Sequence, residues 1–493
     1  MRTPAGGAWS PSTLGPTVSW HAAAAAAAVA IGFGVVAAPE AALAAIAVFI
    51  VALLTLLGGS KRVFATIIVL GAVPVVVGLA SHGELTQAAF TYLDDAALAL
   101  GFAPLALAVA ELRGENKTIA LAVLTLLIAS EAVGMVGSQG GLALGAHAAW
   151  QDLRWLGAIG WGLYLARYLS ARGRFAWSYY MLTGWSVAQL ATALVQILRG
   201  EGPTKRFFIP EVGGVFGHPS LGAMAGTALL LLVTSDVLSS PSFLSWRQRL
   251  LGASVALSAL AVSTRVKPLL AFAGLLAFYL AKRLIRSHSA SALAVVILPM
   301  VIFFALSQTT ESYTRTELQT GALAGDVASH APPRATLVKG ALNLARQEFP
   351  HGAGLGTYGS GLDSRVEPRT FTAAGLPREY GFFDKGPSFQ SDSLLAHVLA
   401  ERGWAGLVIW LTALVMLTGL FMRLSGHLFP SAILIGSLFL APVAPSFNDG
   451  PTAFLLFLPA GLCLDPFSTG ASPPEASDAV RLDLEDITTS PRT

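Results

Sequence analysis

Charge is what this sequence has least of. Asp, Glu, Lys and Arg make up 12% of its 493 residues, about half the share of a soluble domain. That deficit excludes a chain whose whole surface faces water. Cysteine is scarcer still: Cys463 stands alone in an apolar stretch, which excludes an intrachain disulfide framework and a cysteine zinc site. A strong excess of one charge is also missing. The formal net charge is +3, and the basic residues gather in short segments between apolar runs, a pattern that reports membrane topology rather than nucleic-acid binding. Asp-x-Asp and His-x-x-x-His spacings are absent from the polar loops where chemistry is expected, so neither a metal nor another cofactor is expected.

What is abundant is apolar sequence. Hydrophobic residues reach 54%, with a mean hydropathy of +0.64. Stretches of roughly 20 residues, enough to cross a bilayer, recur from end to end. They predict an all-α polytopic membrane protein of about 14 transmembrane helices, near 20–38, 41–58, 63–81, 93–111, 118–137, 150–167, 176–197, 219–238, 249–264, 268–283, 291–307, 402–422, 429–445 and 450–466. The run Ala22–Ala28 follows a single basic residue, Arg2, and many spans come after it. It therefore reads as a retained first span and not as a signal sequence.

The distribution of Lys and Arg orients these spans. With a cytoplasmic N-terminus, the short inner loops carry Lys61 and Arg62; Arg113 and Lys117; Arg172 and Arg174; Arg247 and Arg249; Lys282, Arg283 and Arg286; and Arg423. The short outer loops near 39–40, 82–87, 138–149 and 443–449 carry none, as the positive-inside rule requires. Three outer segments are basic: 198–218, the short turn at Arg265 and Lys267, and a long loop, 308–391. Long loops translocate largely regardless of charge. The predicted organisation is a disordered N-terminus (1–19), a transmembrane bundle of about 11 helices (20–307), an extracytoplasmic loop with amphipathic helices (308–391), C-terminal transmembrane helices (392–466) and a disordered cytoplasmic tail (467–493).

The polar residues of the outer side carry the candidate chemistry. In Ser263-Thr264-Arg265-Val266-Lys267-Pro268, Pro268 is suited to start a helix whose positive end points outward, beside two cations. That arrangement serves an anion site or a turn with two snorkelling charges. Phe216-Gly217-His218-Pro219 opens another span on the same side, and His218 is either a ligand contact or an interfacial pre-proline residue. Arg334 precedes Ala335, Leu337, Val338, Ala341, Leu342, Leu344 and Ala345, the spacing of an amphipathic helix. The glycines of Pro350-His351-Gly352-Ala353-Gly354-Leu355-Gly356 permit close backbone approach to a ligand or simply a tight turn. No nucleotide-binding spacing surrounds them. Asp392 opens a helix with Leu394, Leu395, Val398 and Leu399 on one face; it is an expected N-cap or a carboxylate able to activate an acceptor hydroxyl. Inside the spans, Asp94, Asp95 and Glu131 serve proton coupling or pair with Arg154 or Arg167.

These pieces, over roughly 205–465, resemble the O-antigen ligase and O-antigen or exopolysaccharide polymerase family, polytopic glycosyltransferases of glycosyltransferase-C type. The residues that carry the likeness are Phe216-Gly-His-Pro-Ser-Leu-Gly222, Thr264-Arg265, Arg334 with Pro350-His-Gly-Ala-Gly354, and Asp392-Ser393 with Glu401-Arg-Gly403. Ser393 stands where the family usually has asparagine, and Asp392 where ligases usually have histidine; the acid leans towards polymerase. The resemblance implies a bacterial inner-membrane enzyme with an extracytoplasmic site. Its partners would be a polyprenyl-pyrophosphate glycan donor, a glycan acceptor, membrane lipids and a chain-length regulator or flippase, with no nucleic acid. Transfer would be inverting and metal-independent. It casts Arg265 and Arg334 on the pyrophosphate, Asp392 on the acceptor, and Lys205, Arg206, His218 and Lys267 along the site. A ligase acting on a lipid or protein acceptor and a membrane transporter driven by the intramembrane acids are the alternatives.

Overall fold

The computed structural model describes residues 87–136, 142–200, 205–206, 209–210, 219–239, 242–263, 268–284, 333–358, 370, 374, 393–425, 427–442, 447 and 450–465. The spans expected near 20–38, 41–58, 63–81 and 291–307, both termini and most of the 308–391 loop lie outside these residues. The described elements are α1 (Gln87–Glu111), α2 (Gly114–Val136), α3 (Leu142–Leu153), α4 (Trp155–Ala166), α5 (Ala171–Leu198), β1 (Lys205–Arg206), β2 (Ile209–Pro210), α6 (Pro219–Leu238), α7 (Trp246–Ser263), α8 (Pro268–Leu284), α9 (Pro333–Gln347), α10 (Leu394–Ser425), α11 (Phe429–Leu440) and α12 (Gly450–Leu462). Apart from the two-residue antiparallel ladder, the described fold is helical. Among the described residues, four helices are long and apolar enough to cross a membrane: Gly114–Val136, Ala171–Leu198, Ser220–Leu238 and Leu394–Ser425. Their outer faces are greasy: Leu121, Ile128, Val187, Leu194 and Val408 are all exposed, as lipid contact demands.

Local signals explain several helix starts. α6, α8 and α9 each begin at a proline, whose fixed φ and missing N–H suit a first turn. Ser245 and Gln248 form a capping box before α7: Gln248 N–H donates to Ser245 Oγ (3.3 Å) and Ser245 N–H to Gln248 Oε1 (2.9 Å). α10 is capped by Ser393, whose Oγ accepts from Ala396 N–H. The expected cap, Asp392, lies one residue outside the described segment; the helix starts at Leu394, so the cap position falls on Ser393.

The span expected at 150–167 carries one irregularity. Arg154 keeps right-handed helical φ and ψ (−59°, −26°) and its N–H donates to Trp150 O (2.9 Å), while Gly157 N–H donates to Arg154 O (2.9 Å), so α3, which carries His147, Gln151 and Asp152, tightens there and runs on into the wholly buried α4. By itself α4 is 12 residues, about 18 Å, so a crossing of the roughly 30 Å hydrocarbon core needs α3 as its continuation. α11 and α12 are of similar length and equally buried. Such short helices survive because protein, not lipid, surrounds them. Close approach makes this possible for α4. A Cβ on Gly157 would collide with the Leu98 carbonyl of α1, and one on Gly162 with the Gly461–Leu462 backbone of α12, the small-residue packing of membrane helices.

Contacts fix the helix directions. α1 and α4 run parallel, since Asp95 meets Arg154 and Glu111 meets Arg167, each at 2.6 Å. α2 and α10 run antiparallel: Glu131 meets Arg402 (3.0 Å) and Glu115 meets Arg423 (2.8 Å). α5 and α12 are antiparallel through Arg174–Asp465 (2.6 Å) and the Ser178 hydroxyl on Pro459 O (3.1 Å). These are the directions that the alternation of basic loops requires. One end of the bundle is tied by Arg167–Glu111, Arg174–Asp465, Arg423–Glu115 and Arg249–Asp236 (2.9 Å).

Candidate functional site

The opposite end gathers the helix starts that follow the predicted site residues. Leu395 N–H donates to Ala441 O (3.2 Å), joining the start of α10 to the end of α11. α8 is antiparallel to α11, with Gly274 against Phe439 and Phe278 clustered with Leu428, so Pro268 lies at that same end. α6 and α7 are antiparallel, Gly226 facing Ala259 and Gly252 facing Val233. Asp236, at the far end of α6, faces His427 of the α10–α11 connection (3.7 Å). The starts of α6, α8 and α10 and the end of α7 therefore share one end.

Of the predicted residues, His218, Arg265, Lys267 and Asp392 lie outside the described residues, each within a few positions of one of these helix ends. Lys205 and Arg206 form β1, paired with Pro210 and Ile209. Arg334 is the second residue of α9. The expected amphipathic face of α9 is present: Leu337, Val338, Ala341, Leu342, Leu344 and Ala345 are buried, and α9 packs on α10.

Beneath these helix starts is a buried ionic cluster. Arg402 of α10 contacts Glu131 of α2 (3.0 Å) and Asp152 of α3, and its Nη1 reaches the Ser130 hydroxyl (3.4 Å). The three charged side chains are only 1%, 7% and 5% exposed respectively. The expectation that the intramembrane acids pair with Arg154 or Arg167 holds for Asp95, which engages Arg154 and also accepts from Trp150 Nε1 (3.2 Å), and is corrected for Glu131, since Arg167 is engaged by Glu111. The reason is axial position. Glu131 lies near the α2 end that faces the start of antiparallel α10. Asp152 and Arg402 were not singled out from the sequence. The signal available was an acid and a base inside predicted apolar stretches.

The glycine turn closes over this cluster. Gly352, Gly354 and Gly356 all have positive φ (75°, 99° and 77°), which side chains resist. The backbone they bring close is the protein's own. Ala353 N–H donates to Ala400 O (2.8 Å), Gly354 N–H to Glu401 O (3.0 Å) and Leu355 N–H to Gly134 O (3.0 Å). The Glu401 carboxylate accepts from Gly356 N–H (3.1 Å) and Tyr358 N–H (2.8 Å). Gly403, at φ 63° and ψ −167°, breaks α10 just beyond it and abuts Pro350 O and Gly352 N. Tyr358 donates from its hydroxyl to Leu337 O of α9 (2.7 Å), and burial pushes its phenol pKa above the ordinary value. Of the two readings of these glycines, the tight turn is the one the contacts describe.

Among the described residues no group of three or more His, Cys, Asp or Glu is arranged to hold a metal. Family models, curated proteins and solved structures yield no match to the chain.

Proposed function

We propose that the chain is a membrane glycosyltransferase that polymerises lipid-linked oligosaccharide repeat units of the O-antigen or exopolysaccharide kind. On this reading it has about 14 spans, a glycosyltransferase-C type architecture and an extracytoplasmic site in a bacterial inner membrane. The observation that supports it is the convergence of helix starts. Those of α6, α8 and α10 share one end, and each follows a predicted site residue: His218, Arg265 with Lys267, and Asp392. α9, which opens on Pro333-Arg334, packs against α10. Helix N-termini carry partial positive charge and free N–H groups, and guanidinium pairs with phosphate in bidentate fashion. Together they form a site for a diphosphate.

In the proposed reaction an acceptor hydroxyl attacks the anomeric carbon of the donor. The bond from that carbon to the phosphate oxygen breaks, and its electron pair leaves with polyprenyl pyrophosphate. Asp392 accepts the hydroxyl proton. Arg265 and Arg334 stabilise the charge that grows on the leaving oxygen. Lys205, Arg206, His218 and Lys267 line the donor side. No step calls for a metal.

The test is purified full-length protein in lipid nanodiscs with a polyprenyl-pyrophosphate oligosaccharide. A ladder of lengthening glycans is expected, lost in Arg265→Ala and Arg334→Ala while both variants still purify from the membrane. Transfer only to an added lipid or protein acceptor would make the chain a ligase. Normal ladders in both variants would remove these arginines from the site.

A further inference from the structure

We propose that Glu401 is a positioning residue that holds α9, and with it Arg334, in place over the helix starts; this role rests on the glycosyl-transfer reading above. A continuous run of bonds carries the inference. Glu401 is 1% exposed, and both its carboxylate oxygens receive backbone N–H groups of the turn, from Gly356 (3.1 Å) and Tyr358 (2.8 Å). Tyr358 passes the connection on: its hydroxyl donates to Leu337 O (2.7 Å), three residues beyond Arg334 on α9. On the other side, Arg402 ties the same stretch of α10 to Glu131 and Asp152. Glu401 thus links α9 to the stretch of α10 that Arg402 ties to α2 and α3. Charged acceptors make the stronger hydrogen bonds, and they fix geometry on which proximity effects depend.

Glu401→Gln separates this role from space filling. Glutamine has nearly the same shape but one acceptor oxygen, so one of the two N–H donors would face an NH2 group. Two readouts test it. The first needs no substrate. Spin labels at Asn343→Cys on α9 and Val136→Cys on α2, both exposed, are introduced with Cys463→Ala, and their separation is measured in nanodiscs. A narrow distance distribution in the parent is expected to broaden in Glu401→Gln and, to a smaller extent, in Tyr358→Phe. The second readout is kinetic. With a polyprenyl-pyrophosphate oligosaccharide, Glu401→Gln is expected to lower kcat/KM on the order of 10²-fold. Most of the loss should fall in kcat, because Arg334 meets its full charge only as the pyrophosphate leaves. Combined with Arg334→Lys, the effects are expected to fall short of additive.

Parent-like label distances in Glu401→Gln overturn the proposal. So does broadening with parent-like kcat/KM, or full additivity with Arg334→Lys. A parent that transfers no glycan overturns the reaction and the donor-side role of Glu401 together, while the label distances still decide whether the latch exists.

Discussion

Replacing Arg402 by methionine tests the cluster at its centre. The side chain is 1% exposed and touches two carboxylates, one of them, Glu131, at 3.0 Å. At an effective dielectric constant near 20, a contact of that length carries about 5 kcal/mol of gross attraction. Desolvating the three groups offsets much of it. The net cost of deleting the cation is set by what remains: two buried carboxylates facing an apolar methionine. Breaking a buried pair in this way costs about 3–5 kcal/mol, and two acids share this arginine. The expected loss is therefore at the upper part of that range, read as the unfolding free energy from SDS titration in mixed micelles with tryptophan fluorescence. The triple variant Arg402→Met, Glu131→Gln, Asp152→Asn removes all three charges and is expected to recover most of the loss. A single variant within about 1 kcal/mol of the parent, the scale of an exposed pair, would refute the reasoning. So would a triple variant less stable than the single one.

Gly403→Ala is expected to cost more than the roughly 1–3 kcal/mol of an unfavourable backbone region, because the new Cβ also meets Pro350 O and Gly352 N; low yield of monodisperse protein is the readout. Gly157→Ala drives a methyl into the Leu98 carbonyl and is expected to part α1 from α4, measured as loss of cross-linking between cysteines placed on the two helices. Ser393→Ala removes the cap of α10 and is expected to cost about 1 kcal/mol on the same SDS titration. Tyr358 gives a pH dependence. Its phenol pKa is raised in the fold, so the stability it lends is fully present below the unfolded value, about 10, and falls as pH rises from there towards the folded value. Alkaline unfolding should therefore be shallower in Tyr358→Phe; an identical alkaline limb in the two proteins would contradict this.

The sequence reading reached the helices that follow simple periodic and capping signals. The span expected at 219–238 matches Pro219–Leu238, because Pro219 sets the start and polar residues follow Leu238. The buried face of α9 follows from the spacing of Leu337, Val338, Ala341 and Leu344. The ion pairing was less legible. Glu131 and Arg402 are brought together by the antiparallel packing of α2 and α10, and periodicity within one segment carries no information about a partner helix. The tightening at Arg154 escaped for a related reason. Arg154 reaches Asp95 on α1, and Trp155 Nε1 donates back to Asp152 O (2.8 Å) within the same turn. Hydropathy alone reads straight through it. The glycines announced a turn but not its target, since the approach is to Ala400 and Glu401 on another element.

Glu401, Arg402 and Gly403 show how three consecutive residues can serve three partners. Neighbouring side chains on a helix diverge by about 100°, so Glu401 faces the glycine turn while Arg402 faces α2 and α3. Gly403 then leaves helical geometry, and the gap admits Pro350 O and Gly352 N. Had the helix run on unbroken, any residue with a Cβ at 403 would have held the turn away, and Glu401 would lose the N–H groups of Gly356 and Tyr358. Losing hydrogen bonds to a buried carboxylate is costly, so the acid and the glycine depend on each other. This makes a specific order of severity in variants. Gly403→Ala should disrupt the turn even with Glu401 intact, whereas Glu401→Gln should loosen the turn yet leave the helix break in place. Hydrogen exchange at Gly356 and Tyr358 N–H distinguishes the two. Both amides should exchange faster in either variant, while Ala405 N–H, bonded to Pro350 O (3.2 Å), should lose protection only in Gly403→Ala. Equal loss at Ala405 in both variants would mean that the carboxylate, and not the glycine, holds the break open.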